Sequence, residues 1–268
     1  EEVKVKEVEA MVGRKRAIAL VARARAGVLE MTEGKRTTVR DLDEAPDPVD
    51  FFGRKEELDS LRGFMESDSD LTVILGNRGY GASALARRFV DTLEDYNVLW
   101  VSLTACTEPE GLKERLLRFA GRFLPGASDP LDALGVADAV IVFDGYNAVP
   151  EETVEFFSDL VARLDEAKVV ITAREDTPAY DWFYHKKELE SGKILELRLK
   201  GLDAKSAKAL LGNPGIEPDA FRRVHMMTRG SPNILRMLRE KDFEGLKKNT
   251  VFTTEEIRYL LFLRDKTD

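Results

Sequence analysis

The stretch "GNRGYGAS", residues 76–83, sets three glycines and a hydroxyl between the apolar run "LTVIL" and the helix-patterned "ALARRFV". A strand, a glycine-rich turn and a helix in that order make a phosphate-binding loop of the form GxxxxGK[ST]. Glycines let the backbone wrap an anion with its N–H groups turned inward, and the following helix presents its positive end. Gly76, Gly79 and Gly81 fill the glycine role, Ser83 stands where a hydroxyl would hold Mg²⁺, and Asn77, Arg78, Tyr80 and Ala84 complete the expected nucleotide cradle. Ala82 occupies the lysine position. That lysine would reach the β- and γ-phosphates, so its loss removes a point charge from the region where charge shifts during hydrolysis. Turnover is expected to suffer more than binding.

A second apolar run, "AVIVFD", ends in Asp144, the place of a Walker B acid that organises Mg²⁺ and its waters. Many such ATPases follow it with a second acid that activates the attacking water; here Gly145 follows. Ala82 and Gly145 therefore both strike turnover. An engineered lysine-to-alanine change accounts for Ala82 and natural degeneration accounts for both, and the sequence leaves the two open. Arg78 starts from another point of the loop and is not expected to replace the lysine. His185 and His225 lie far apart without ligand spacing, so no metal other than Mg²⁺ is expected. The one cysteine, Cys106, has no partner arrangement for nucleophilic chemistry. In "WFYHKK", Trp182, Phe183 and Tyr184 stand beside cations that would suit base stacking, but pinning a helix to the sheet is the simpler role.

Short apolar runs at 71–75, 97–103, 139–143, 168–172 and 194–199 alternate with helical patterns at 82–93, 110–123, 151–164 and 180–190. Strands alternating with helices predict right-handed crossovers and a five-stranded parallel sheet covered on both faces. From Asp203 onward the pattern is a run of short helices, several opened by Asp, Ser or Thr caps. Before the sheet, apolar residues from Val8 to Met31 recur at three and four, which predicts a long amphipathic helix carrying the basic cluster Arg14, Lys15 and Arg16. The chain opens at Glu1 rather than methionine, so this helix is expected to end an upstream domain or to form a dimerisation stalk. The expected organisation is that helix at 1–34, a linker at 35–50 with one short strand near 37–42, an α/β domain at 51–200, a helical lid at 201–250 and a further helical start at 251–268.

With 49 acidic against 41 basic side chains the formal charge is −8, which excludes a general polyanion binder and confines any nucleic-acid contact to a local patch. A single cysteine precludes an internal disulfide, and no apolar stretch suits a bilayer span or a secretory signal, so a cytoplasmic location and no membrane partner are expected. Charged residues make up 34% and glutamine is absent, which leans toward a thermophilic source.

Several further motifs resemble one family. "FFGRKEEL" resembles the hhGRxxE motif of the STAND class of signal-transduction ATPases and the related archaeal ATPases, with Phe51, Phe52, Gly53 and Arg54 in its positions. "VVITARED" is similar to their sensor strand ending in Thr-x-Arg, and "TRGSPNILRML" to their GxP motif at Gly230, Ser231 and Pro232. Residues 172–211 are similar to a segment of large ATP-dependent transcription activators, and "FTTEEIRYLLFL" to the first helix of a winged-helix domain. The resemblance covers about Val49 to Arg239. It implies a P-loop NTPase fold related to AAA+ proteins, with Phe52, Gly53 and Arg54 at the nucleotide, Arg174 near the γ-phosphate and Pro232 against adenine. It implies ATP or ADP with Mg²⁺ as ligands, DNA as a partner through an upstream domain, and homo-oligomeric assembly as an allowed state. The function implied is a nucleotide-dependent switch in a transcription regulator, with hydrolysis weak or absent. A replication protein like the archaeal origin-recognition family, with Arg236 as its lid arginine, is the alternative, and a pseudo-ATPase scaffold is the third reading.

Overall fold

A computed structural model describes residues 38–267, apart from 125, 127, 135–137, 148, 165–166, 178–182 and 185–188. The expected helix over Val8–Met31, its basic cluster, Trp182, His185 and most of the helix expected at 180–190 lie outside the described residues.

The sheet is parallel throughout, in the order β1-β3-β4-β5-β2-β6. Its strands are β1 (Arg40–Asp41), β2 (Leu71–Gly76), β3 (Asn97–Ser102), β4 (Ala139–Tyr146), β5 (Lys168–Ala173) and β6 (Ile194–Leu199). Residues 71–76 of β2 are all buried, because helices cover both faces and leave no polar side to alternate. The two-residue period sorts the strands cleanly. Leu71, Val73, Leu75, Ile141, Phe143, Val169 and Ile171 face one core, shared with α3 (Pro109–Ala120), α4 (Pro130–Leu134) and α5 (Glu151–Arg163). Ile74, Val98, Trp100, Val140, Val142 and Val170 face the other, shared with α1 (Lys55–Glu66) and α2 (Ala82–Val90). Phe183 and Tyr184 are buried in the first core, where Phe183 meets Tyr146 edge-on at 5.3 Å between ring centres.

The sheet has six strands where five were expected. The sixth, β1, is the short strand expected within the linker near 37–42, and it joins the sheet by pairing with β3 through Arg40↔Val98 and Asp41↔Leu99. Side-chain hydrogen bonds help hold it, beside the partly buried flanks Val39 and Leu42: Asn97 Oδ1 accepts from the Val39 amide (2.9 Å), and Arg40 donates to the carbonyls of Leu93 (2.5 Å) and Val90 (2.9 Å). Helices α2 and α3 stop about three residues short of their predicted ends. Their apolar pattern runs on into tight turns, with Leu93 N–H bonded to Val90 O and Phe123 N–H to Ala120 O.

After Lys200 the helices α6 (Ala204–Leu211), α7 (Pro218–Thr228), α8 (Pro232–Glu240), α9 (Phe243–Asn249) and α10 (Thr254–Asp265) enclose a core of their own. Asp203 caps α6 through the amides of Lys205 and Ser206, and Thr253 and Glu256 form a capping box on α10. Helix α10 sends Ile257, Leu260 and Leu263 into the same core as α6 and α8. The bundle meets the sheet at a backbone contact. A Cβ on Gly201 would lie 1.9 Å from Arg229 O, and one on Gly230 would lie 2.5 Å from Leu202 O. Only glycine allows that approach.

Candidate functional site

The C-terminal ends of β2, β4 and β5 lie side by side, with Asp144 in register with Thr172. From β2 the chain turns through residues 77–80, closed by Tyr80 N–H to Asn77 O at 3.0 Å, and enters α2 at Gly81. No side chain caps α2, so the amides of its first turn are left for a ligand. Ser83 Oγ donates to Asp144 Oδ1 at 2.7 Å, and Thr172 Oγ1 donates to the same oxygen at 2.5 Å. Thr172 Oγ1 in turn accepts from the Gly145 amide at 2.9 Å. The loop hydroxyl and the β4 acid are thus brought together as sequence pattern placed them.

Gly145 sits in a bulge of β4, where the β4–β5 register shifts between Asp144 and Tyr146, and its φ is +92°. That backbone disfavours any side chain. Glycine at this position therefore fits the local backbone shape.

A cleft of about 400 Å³ lies over these strand ends. The loop residues Asn77, Arg78, Gly79, Gly81, Ala82, Ser83 and Ala84 line it, with Gly145, Thr172 and Arg174 from the neighbouring strand ends. Its opposite wall comes from the helical bundle, through Leu210 of α6 and Pro232, Asn233 and Arg236 of α8. Pro46, Val49 and Asp50, from the stretch expected to be a linker, close a further side. The bundle also grips the loop directly: Gly79 O accepts from the Asn233 amide and from Ser231 Oγ, both at 3.2 Å.

The hhGR residues lie behind the loop rather than in the cleft. Phe52 packs on the bundle core, and a Cβ on Gly53 would meet Ser206 Oγ at 2.6 Å. Arg54 is buried, and its guanidinium donates to Glu57 (2.7 Å), Tyr80 O (3.1 Å) and Lys200 O (2.5 Å). Those bonds commit its two terminal nitrogens to protein acceptors. Holding the Tyr80 carbonyl outward turns the next amide, that of Gly81, toward the cleft side. Tyr80 packs its ring against the α1–α2 core.

The geometry is that of a strand, a glycine loop and a helix, with hydroxyl and acid meeting beside a cleft between sheet and helical bundle, and solved structures share its architecture. A STAND (signal transduction ATPase with numerous domains) protein with a tetratricopeptide-repeat sensor from Pyrococcus horikoshii matches with TM-score 0.53 at 22% identity, over 74% of this chain and 31% of that one. A Walker-type ATPase of Pyrococcus abyssi matches with TM-score 0.52 at 18% identity, over 74% of its length and 84% of this chain. The ORC2 protein of Aeropyrum pernix, solved with ADPNP and ADP, matches with TM-score 0.50 at 14% identity, over 84% of this chain and 71% of that one.

This is the P-loop NTPase fold. No protein-family model and no curated protein sequence matches the chain, so the likeness is one of structure. The chain spans about a third of the length of the STAND protein it matches. Sequence reasoning on this P-loop fold did not assign Thr172 to the site, although it stands in the Thr-x-Arg stretch and is followed only by Ala173 in β5. It also missed Asn147, whose Oδ1 accepts from the Arg174 amide at 3.0 Å, and Asn233, which carried no signal beyond following Pro232. Among the described residues, no helix is long and apolar enough to cross a membrane.

Proposed function

We propose that the chain is the nucleotide-binding module of a regulatory switch, in which ATP or ADP is clamped between the sheet domain and the helical bundle. One observation carries this reading: a single cleft takes its walls from both halves, and the phosphate loop is hydrogen-bonded to the bundle helix that forms the far wall. A ligand touching both halves shifts their relative population by its differential affinity for the arrangements they adopt. Polyphosphate would lie along the loop amides and the start of α2, and the base against Pro232 and its apolar neighbours.

Ser83 Oγ and Asp144 Oδ1 are hard oxygen donors that already converge, so they suit Mg²⁺. When bound, that ion would offset charge on the outer phosphates. The chain's own groups do the remaining work: loop amides bind, Thr172 orients Asp144, and Arg174 at the tip of β5 faces the cleft. Neither Ala82 nor Gly145 supplies a charged group for turnover, so hydrolysis is weak or absent. Calorimetric titration with ADP and ATP is the test. Saturable binding with no phosphate release above buffer supports a slow switch; failure of both nucleotides to bind removes it.

The transcription-regulator role rests on the basic cluster Arg14, Lys15 and Arg16 and on the activator-like segment. It requires salt-dependent duplex binding by the protein with its N-terminal region, and its absence at every sequence tried would end that role. A second reading, a replication protein of the origin-recognition type, is favoured by Arg236, which lines the cleft from α8. Nucleotide-dependent assembly on origin-type duplex would select it.

A further inference from the structure

A loop without its lysine must still neutralise a polyphosphate, and the chain carries more acid than base. Most arginines of the described chain are spent on carboxylates, as Arg87 is on Asp91 at 3.1 Å and Arg239 on Asp50 at 2.9 Å. Arg78 is not. It is exposed, lines the cleft, and has no hydrogen-bond or ion-pair partner among the described residues. Two carboxylates that contact loop residues are already engaged: Asp144 accepts from Ser83 and Thr172, and Glu175 accepts from Asn77 Nδ2 at 3.4 Å.

The backbone beneath Arg78 is fixed. Arg78 follows Asn77 in the turn closed by Tyr80 N–H to Asn77 O, and the two carbonyls after it are tied down, Gly79 O to Ser231 and Asn233 and Tyr80 O to Arg54. A guanidinium on a held turn loses less freedom on binding than one on a mobile loop. Position 82, by contrast, offers only a methyl group, packed in part against the α1–α2 core. Arg174 and Arg236 also border the cleft, but from a strand end and from the bundle, and Arg236 donates to Asn233 Oδ1 at 3.3 Å.

We propose that, against the expectation drawn from its place in the loop sequence, Arg78 takes the outermost phosphate of a nucleoside triphosphate in place of the lysine missing at position 82, so that preference for tri- over diphosphate rests on this guanidinium. The inference depends on the nucleotide-switch reading and adds to it the residue that counts phosphates. Its test is a double-variant cycle by calorimetry with ATP, ADP and inorganic tripolyphosphate. Arg78→Met weakens ATP and tripolyphosphate by about tenfold or more, the worth of a charge-assisted bond, and ADP by much less. Adding Ala82→Lys to Arg78→Met returns ATP affinity to within about threefold of the original protein, a rescue that a damaged loop would not show. Arg88→Met, an exposed change on α2, leaves the affinity for all three ligands unchanged.

Equal losses for ATP and ADP without rescue, or an Arg78→Met protein that binds ATP normally, overturn the inference while the switch reading stands. So does a result in which Arg174→Met, and not Arg78→Met, is the variant that Ala82→Lys rescues. An unaltered protein that binds none of the three ligands overturns both.

Discussion

Asp144 Oδ1 accepts from two hydroxyls, and the second of these, Thr172 Oγ1, also satisfies the amide of Gly145. Thr172 is 3% exposed, so water cannot replace it easily. Thr172→Val keeps the shape and removes both bonds, leaving an amide and a carboxylate oxygen short of a partner. The expected cost is about 1–3 kcal/mol, a fall in Tm of roughly 2–10 °C for a chain of this size, read in a thermal melt. Gly145 carries the more instructive prediction. Because its φ is +92°, Gly145→Glu strains the bulge by roughly 1–3 kcal/mol. Ala82→Lys with Gly145→Glu is accordingly expected to release phosphate no faster than Ala82→Lys alone. A double variant that turns over well above the single one would show that the bulge tolerates an acid in working geometry.

At the scale of elements, the long central strands were legible because burial on both faces leaves near-continuous apolar runs such as "LTVIL", broken only by Thr72, and "AVIVF". Strand β1 was legible only as a short strand in the linker, its pairing with β3 being set by Asn97 and Arg40, and the segment around Pro46–Asp50 was not, because no periodicity marks its place beside the cleft. Arg54 shows a similar limit. A motif gives the residue type, while its donors are spent on Tyr80 and Lys200, acceptors 26 and 146 residues away. Gly230 opens the GxP stretch for a steric reason, its approach to Leu202. Gly230→Ala drives a methyl into backbone and is expected to cost more than about 3 kcal/mol. Gly63→Ala, in α1 with open space around it, should instead stabilise by about 0.5–1 kcal/mol, and paired denaturant titrations compare the two.

Helix α6 adds a pH prediction at the same scale. The Ser206 hydroxyl and the amides at the start of the helix hold the Asp203 carboxyl below its ordinary value. A carboxyl depressed by folding contributes stability above its unfolded pKa, about 3.9, and loses it as pH falls through the lower folded value. Asp203→Ala is therefore expected to lower stability by about 1 kcal/mol near neutral pH. The gap between variant and original should close as melts are taken toward pH 2.

At the scale of the whole molecule, the two halves have separate cores, yet the cleft and the Gly79 anchors join them where a nucleotide would lie. A ligand confined to the loop would stabilise only the sheet domain, whereas one held between loop and bundle stabilises both. Ligand at about a hundred times its dissociation constant adds about 2.7 kcal/mol to whatever unit binds it. Differential scanning calorimetry with rising ADP should show one endotherm moving upward as a whole, by roughly 5–10 °C at that excess for a chain of this length. Two endotherms, of which only one responds, would mean that the bundle takes no part in binding. Ser231→Ala sharpens the comparison, since it removes one of the two bonds to Gly79 while leaving the Asn233 amide in place. Its melting point without ligand should change little, because one neutral bond is worth only about 1 kcal/mol. Its shift with ADP should shrink measurably, because that bond lies on the path by which phosphate contact at the loop reaches the bundle.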